Sequence, residues 1–212
     1  MFNNLLFGKY LAESFSVKFY ALHIQRFKKI FTLAKVNKIM YIMKPLVSII
    51  MGSTSDMKVM EQAAQFLDEM EIPFEINALS AHRVPDLVAE FANNAHKRGI
   101  KVIIAAAGGA AHLPGVIAAS TPLPVIGVPI KSSNSMDGWD SVLSILQMPA
   151  GIPVATVALD GAKNAAILAM QILAVEDKEL FAKFEKFKQD LASKIAKANK
   201  DLAQIKYNFK TN

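Results

Sequence analysis

Cysteine is absent from this chain of 212 residues, and histidine is scarce. Without Cys the chain has no disulfide framework, no thiol nucleophile and no thiolate metal site. No two of the four His are closely spaced, so we predict no metal centre; they are His23, His82, His96 and His112. The length fits one α/β domain, or at most two small ones, with ample material for a buried core.

The formal net charge of +6 is unevenly distributed. Residues 1–42 hold seven Lys and Arg and a single acid, Glu13, which leaves 17 basic and 17 acidic residues in the rest of the chain. The basic character therefore belongs to an N-terminal segment, and the body is neutral. This distribution does not support a DNA- or RNA-binding domain.

A long stretch without Asp, Glu, Lys or Arg, residues 102–130, raises the question of a membrane span. A spanning helix needs about 20 apolar residues. Gly and Pro residues interrupt the stretch and would break such a helix repeatedly; among them are Gly108, Gly109, Pro114, Gly115, Pro122, Pro124 and Pro129. A buried strand, a glycine turn, a short helix and a second strand fit it better, so we predict a soluble protein without a membrane partner.

Residues 1–42 form a basic N-terminal extension with no Pro and with six of the 13 Phe in the chain. Tyr20, Ile24, Phe27 and Phe31 recur at helical spacing between Lys and Arg residues, which indicates an amphipathic helix. Two interpretations are open. The segment is a targeting or membrane-surface element, or it is a poorly ordered extension that a start codon chosen too early has included.

From Pro45 onward, apolar runs alternate with segments of helical periodicity. The runs are mostly continuous, as expected for strands covered on both faces; they span residues 46–51, 74–79, 101–107, 125–128 and 154–158. Apolar stripes at helical spacing lie in residues 57–70, 87–95, 142–146 and 165–173, and a long amphipathic helix is predicted for 177–207. The alternation predicts a single three-layer α/β domain with a five-stranded parallel sheet, flavodoxin-like or Rossmann-like, and a long C-terminal helix.

The segment after the first strand, Gly52-Ser53-Thr54-Ser55-Asp56, combines a turn glycine with hydroxyl groups. Ligands of open parallel sheets collect beyond the carboxyl ends of the strands, and free amides at a helix N-terminus bind anions. No Gly-Lys-Ser/Thr follows, so the segment is not a P-loop, and it is not a G-x-G-x-x-G fingerprint. Anion binding and ordinary N-capping by Ser or Asp both remain open.

The second segment, Ser80-Ala81-His82-Arg83, follows the second strand and precedes a helix that opens with Pro85. The planar fork of an Arg beside a helix start suits phosphate or carboxylate. The neighbouring His is the side chain that exchanges protons most readily near neutral pH. A lone His after a strand is usually structural, but this His-Arg pair favours a functional role.

The third segment, residues 107–115, reads Ala-Gly-Gly-Ala-Ala-His-Leu-Pro-Gly. Its small residues offer bare backbone that a planar ligand could approach closely, and close helix–sheet packing is the alternative. His112 by itself indicates a polar contact or a helix cap rather than a proton carrier. Residues 144–153 are predicted to be a loop.

Five motifs occur in order at consistent spacing: Met51-Gly52-Ser53 with Ser55-Asp56, Ser80-Ala81-His82-Arg83, residues 108–115, residues 124–129 (PVIGVP) and residues 147–153. Together they resemble the 5-(carboxyamino)imidazole ribonucleotide mutase family of purine biosynthesis, over about residues 46–173. The form Gln147-Met148-Pro149-x-Gly151 is similar to the bacterial mutase branch, and not to the branch that carboxylates aminoimidazole ribonucleotide directly with carbon dioxide.

The resemblance implies that residues 43–212 are a catalytic domain that moves a carboxylate from an exocyclic nitrogen of a ribonucleotide to ring carbon 4. It implies that His82 is the catalytic proton carrier. Gly109, Ala110 and His112 would line the space around the migrating carboxylate.

The same resemblance assigns the nucleotide-binding residues. Ser53 and Arg83 would hold the 5′-phosphate, with Ser80 nearby. Asp56 would hold the ribose hydroxyls, because a carboxylate beside a phosphate dianion would repel it.

The resemblance further implies a cytoplasmic homo-octamer that needs no ATP, metal or organic cofactor. Its long C-terminal helix and residues 131–138 would be available for subunit contacts. Two alternatives to the mutase stay open: direct carboxylation of aminoimidazole ribonucleotide, and a flavodoxin-like nucleotide-binding module without catalysis.

Overall fold

A computed structural model of the chain describes residues 44–212. The predicted extension, residues 1–42, lies outside the described residues. The strands are β1 (Val47–Met51), β2 (Phe74–Ala78), β3 (Val102–Gly108), β4 (Val125–Ile130) and β5 (Ala155–Thr156). The α-helices of the described part are α1 (Met57–Glu69), α2 (Pro85–Arg98), α3 (Leu113–Ser120), α4 (Trp139–Leu146), α5 (Ala162–Ala174) and α6 (Lys178–Gln204).

The strands form one parallel sheet with the order β2-β1-β3-β4-β5. This is the flavodoxin-like order, in which the chain first adds a strand on one side of β1 and then continues on the other side. The loops after β1 and β3 therefore diverge at the boundary between these two strands. That divergence creates a crevice at the carboxyl edge of the sheet, where ligands bind in folds of this class.

Two hydrophobic cores cover the two faces of the sheet, which confirms the predicted three-layer α/β domain. Alternate residues of β3 point into different cores: Ile104 packs with α1 and α5, whereas Ile103 packs with α2 and α3. Because each strand has successive side chains on opposite faces, a strand covered on both sides must be apolar throughout. Six of the seven residues of β3 are buried, and the seventh, Gly108, is partly buried.

Several predicted boundaries differ from the structure. β4 continues two residues beyond the prediction, to Ile130, and β5 has only two residues where five were predicted. The edge position of β5 explains its shortness, because it pairs with β4 on one side only. The predicted loop 144–153 begins too early, since Ser144 still belongs to the last turn of α4.

The apolar stripes of two helices do not all face the core. In α2, Val88 is buried but Leu87 is largely exposed. In α4 the buried apolar residue is Ile145, while Leu143 and Leu146 face outward. The helices predicted from this spacing are present. They carry more apolar residues, however, than the side that packs against the sheet can bury. Outward-facing Leu side chains in series mark a surface suited to association.

The long helix α6 begins at an Asp177 cap, whose carboxylate accepts the backbone N–H groups of Glu179 and Leu180. Its first turns pack on the domain, and the Phe187 ring meets the Phe66 ring edge-on with centroids 5.4 Å apart. Beyond Phe187 the apolar face of α6 continues, but no other described residues bury it, and Ile195 is 66% exposed. The helix ends at Gln204, three residues short of the prediction. In the described part of the chain no helix is long and apolar enough to cross a bilayer.

Candidate active site

The chemically unusual segments lie at one edge of the sheet. Residues 52–56 follow β1, residues 79–84 follow β2 and residues 109–112 follow β3. Because the strands are parallel and β1 lies between β2 and β3, the three segments adjoin one another around the crevice. Two grooves of about 800 and 720 Å³ lie at the opposite edge, beside the amino ends of the strands. They contain none of the residues predicted to act on a ligand.

The central contact of the site joins two histidines that are 30 residues apart. His82 Nε2 lies 2.8 Å from His112 Nδ1, and the ring planes are nearly perpendicular, at 87°, with centroids 4.9 Å apart. Of two neutral imidazoles in such a contact, one nitrogen donates its proton and the other accepts it. The tautomer of each ring therefore depends on the tautomer of the other.

His82 lies in a tight turn between β2 and α2. The Ser80 carbonyl accepts the backbone N–H groups of Arg83 and Val84, at 3.2 and 2.9 Å, which fixes the turn. Pro85 then opens α2 at a position where a missing N–H costs no hydrogen bond. The turn holds both His82 and Arg83 at the surface, where a ligand can reach them.

His112 is placed by a strained turn between β3 and α3. Gly109 and Ala111 both have positive φ, +60° and +46°, and the Ala111 N–H donates to the Gly108 carbonyl at 3.2 Å. A left-handed backbone is unusual for Ala, whose Cβ disfavours it. His112 occupies the N-cap position of α3 but makes no side-chain cap bond. Of the two roles expected for it, the structure shows the polar contact, and the ring is directed to His82.

The loop after β4 packs against this turn and was not predicted to be part of the site. A Cβ atom on Gly108 would lie 2.5 Å from Ser132 Oγ, and one on Gly109 would lie 3.0 Å from Asn134 Nδ2. The glycines therefore allow Ser132 and Asn134 to approach the backbone of the turn. One feature of the sequence could have indicated Ser132 and Asn134: they lie in a polar loop that follows a buried strand of the same parallel sheet.

Thr54–Asp56 form a short 3₁₀ helix, and the hydroxyl group of Ser53 caps its amino end. Ser53 Oγ accepts the Ser55 N–H at 3.3 Å and the Ser55 hydroxyl at 2.9 Å. The N-capping interpretation is thus correct for Ser53, and it does not exclude anion binding at the remaining N–H groups. The Ser55 hydroxyl also lies 3.4 Å from Asp56 Oδ1.

Asp56 is the only acidic side chain among residues 44–212 that is fully buried, with 5% of its surface exposed. Burial raises the pKa of the Asp56 carboxyl, and hydrogen bonds from the Ser53 backbone and the Ser55 side chain oppose this shift. A buried carboxylate with few partners is poorly solvated. It would gain from donors that a ligand brings, such as hydroxyl groups.

Arg83 is exposed at the start of α2 and forms no ion pair with any residue of the described chain. Its guanidinium is therefore available to an anionic ligand. The structure thus brings His82 and His112 into contact and places Ser53, Asp56 and Arg83 on the loops of the adjoining strands. Within residues 44–212 no group of three His, Asp or Glu side chains could hold a metal ion.

The fold and the site are those of an α/β enzyme that binds a small molecule at the switch point of its sheet. Residues 46–194 match the protein-family model described as AIR carboxylase, and the chain belongs to this family. It is 56% identical over 162 residues to the N5-carboxyaminoimidazole ribonucleotide mutase of Pyrococcus horikoshii, covering 76% of this chain and 91% of that protein.

Two further similarities place the chain within the family. It is 50% identical over 164 residues to a phosphoribosylaminoimidazole carboxylase of Candida glabrata, of which it spans only 29%. The crystal structure of Treponema denticola PurE superimposes with a TM-score of 0.67 at 32% identity, covering 74% of this chain and 98% of that one. The likeness to the mutases thus extends over nearly their whole length.

Proposed function

We propose that this enzyme converts 5-(carboxyamino)imidazole ribonucleotide into 5-amino-1-(5-phosphoribosyl)imidazole-4-carboxylate, an isomerisation in de novo purine biosynthesis. Membership of the family and the similarity to mutases over most of the chain support this activity. The observation that carries the mechanism is the 2.8 Å contact between His82 and His112 at the switch point of the sheet.

The reaction breaks one bond to the carboxylate carbon and forms another. Cleavage of the carbamate C–N bond releases carbon dioxide, and His82 protonates the exocyclic nitrogen. Ring carbon 4 then attacks the retained carbon dioxide, and His82 removes the proton from that carbon, which restores aromaticity. One imidazole serves both steps because it gives up a proton in the first and regains one in the second, and so ends in its initial protonation state.

His112 has a supporting role in this mechanism. Its hydrogen bond to His82 selects the tautomer of the catalytic ring and holds the ring plane. With Gly109 and Ala110 it borders the space in which carbon dioxide is retained. Small residues there leave room for the planar base close to the backbone.

The nucleotide is bound by the loops after β1 and β2. Arg83, unpaired within the described chain, binds the 5′-phosphate together with Ser53, and Ser80 lies on the same turn. Asp56 accepts the ribose hydroxyls, which add donors to the hydrogen bonds that this buried carboxyl receives from the Ser53 backbone and the Ser55 side chain. Binding and proton transfer thereby depend on different side chains.

The enzyme assembles as a homo-octamer in the cytoplasm. Four apolar side chains of α4 and the loop before it are exposed: Met136 in the loop, and Trp139, Leu143 and Leu146 on one face of the helix. A series of this kind supports burial against other subunits. Light scattering of the purified protein should give the mass of eight chains, and cell fractionation should recover it in the cytosol. A monomer at working concentrations would contradict the assembly.

The activity is tested with two substrates in parallel. The wild-type protein should convert the carbamate ribonucleotide and should leave aminoimidazole ribonucleotide with bicarbonate unchanged. Conversion of the second substrate alone would instead identify a direct carboxylase. Binding of the ribonucleotides without conversion of either would identify a non-catalytic module.

A further inference from the structure

One hydrogen bond beside the site joins two elements that are far apart in the sequence. Ser144 Oγ donates to the Ala110 carbonyl oxygen at 2.5 Å, across 34 residues. Ser144 lies in the last turn of α4, and Ala110 lies in the turn between β3 and α3. The mechanism proposed above gives Ser144 no task.

This bond fixes the peptide between Ala110 and Ala111 from one side. The other side of the same planar peptide is the Ala111 N–H, which donates to the Gly108 carbonyl at 3.2 Å. Both polar groups of the peptide are therefore held, and the plane cannot rotate without losing a hydrogen bond. Ala111 has a φ of +46°, a conformation that persists only where its surroundings impose it.

The anchor for this bond is rigid. Ile145, next to Ser144, is buried in the core between α4 and the sheet, with 1% of its surface exposed. Ser141, one turn earlier in α4, is also buried and donates to the carbonyls of Ile130 and Gly138. The carboxyl end of α4 is thus held in place. A movement of the turn between β3 and α3 would therefore break the bond from Ser144 to Ala110.

From these contacts we propose that Ser144 is a positioning residue for the proton-transfer pair. It holds the Ala110 carbonyl, which keeps Ala111 left-handed and directs His112, two residues later, toward His82. Without the hydroxyl, the turn relaxes and the contact between His112 and His82 lengthens. This inference rests on the proposed function, because it assigns Ser144 a place in the same site.

The test compares Ser144→Ala with Ser144→Thr and with a matched control. Ser120→Ala is the control, because it also removes a serine bond to a backbone carbonyl, that of Val116 at 3.0 Å, without affecting the turn. A misplacement of about 1 Å in a catalytic pair costs up to about 100-fold in rate. We expect Ser144→Ala to lower kcat by about 10- to 100-fold with KM within about threefold, and Ser144→Thr to restore most of the rate.

A readout that does not require turnover accompanies the kinetics. In ¹⁵N-labelled protein, the imidazole nitrogens of His82 and His112 report which nitrogen carries the proton. Ser144→Ala should shift the tautomer balance of His112, whereas Ser120→Ala should leave both rings as in the wild type. Unchanged imidazole signals in Ser144→Ala would overturn the proposal whatever the kinetics show.

The remaining outcomes separate this inference from the function on which it rests. If the wild type converts neither candidate substrate, the proposed function fails. If the wild type is active and Ser144→Ala retains its kcat, only the positioning role fails. Equal losses in Ser144→Ala and Ser120→Ala would also refute it, since that result would show a general loss of structure.

Discussion

Replacement of His82 by Asn tests the mechanism most directly. Asn keeps an amide that can form a hydrogen bond, but it has no group that gains and loses a proton near neutral pH. In the structure the His82 ring is exposed and its polar contact is with His112, at 2.8 Å. The substitution therefore removes the proposed proton carrier and leaves the packing of the domain intact.

The expected loss is large in rate and small in binding and stability. A positioned acid–base group contributes about 100- to 10,000-fold, equivalent to about 2.7–5.5 kcal/mol of barrier. Since the proposed mechanism uses His82 in both proton transfers, turnover should fall to the background of the assay. The affinity should stay within about tenfold, because in the proposed site it depends on Ser53, Asp56 and Arg83. The free energy of unfolding should change by less than about 0.5 kcal/mol, as for other exposed positions.

The assay combines product formation, followed by ultraviolet absorbance, with calorimetric titration of the carboxylated product. Arg83→Ala is the complementary variant. It should strongly weaken binding of the nucleotide through its phosphate, while His82 remains in place. Undiminished turnover in His82→Asn would remove this residue from the mechanism. A parallel loss of binding and unfolding free energy would show that its role is structural.

Two further substitutions test the site and its packing. Because burial raises the pKa of Asp56 above its ordinary 3.8, its contribution to the free energy of unfolding is present at low pH and lost as the pH rises through the raised value. In denaturant titrations, Asp56→Asn should therefore gain stability relative to the wild type as the pH rises from below 3.8 through the raised pKa, and it should bind the nucleotide more weakly; a stability difference independent of pH would contradict this. Gly108→Ala should destabilise by about 1–3 kcal/mol, because its Cβ would lie 2.9 Å from the Ile130 carbonyl oxygen, whereas Gly52→Ala, with nothing within 4 Å, should change stability by less than about 0.5 kcal/mol in the same titrations.

Local pattern was sufficient to predict the class of fold. A strand covered on both faces must be apolar throughout, so runs such as that of β3 are recognisable without any knowledge of their partners. Their alternation with helical stripes then predicts a parallel sheet. The extent of β5 could not be predicted in this way, because its two residues are defined by their pairing with Ile126 and Gly127 of β4, which are distant in the sequence.

The site was predicted in part. Residues 52–56 and 80–83 and the glycine-rich turn were identified because they follow strands, and that position alone places them at the ligand-binding edge. Their roles remain predictions from resemblance and chemistry. Ser132 and Asn134 were missed, because their approach to the turn depends on where the loop after β4 folds back.

The amino-acid sequence by itself indicated which residues are candidates for the site and which strand each of them follows, because both properties are local. The order of the strands, the contact of His82 with His112 and the bond from Ser144 to Ala110 were decided by the tertiary structure. Each of these joins segments that are distant along the chain, and their distance is set by how the helices pack on the sheet. No pattern within one segment contains that information.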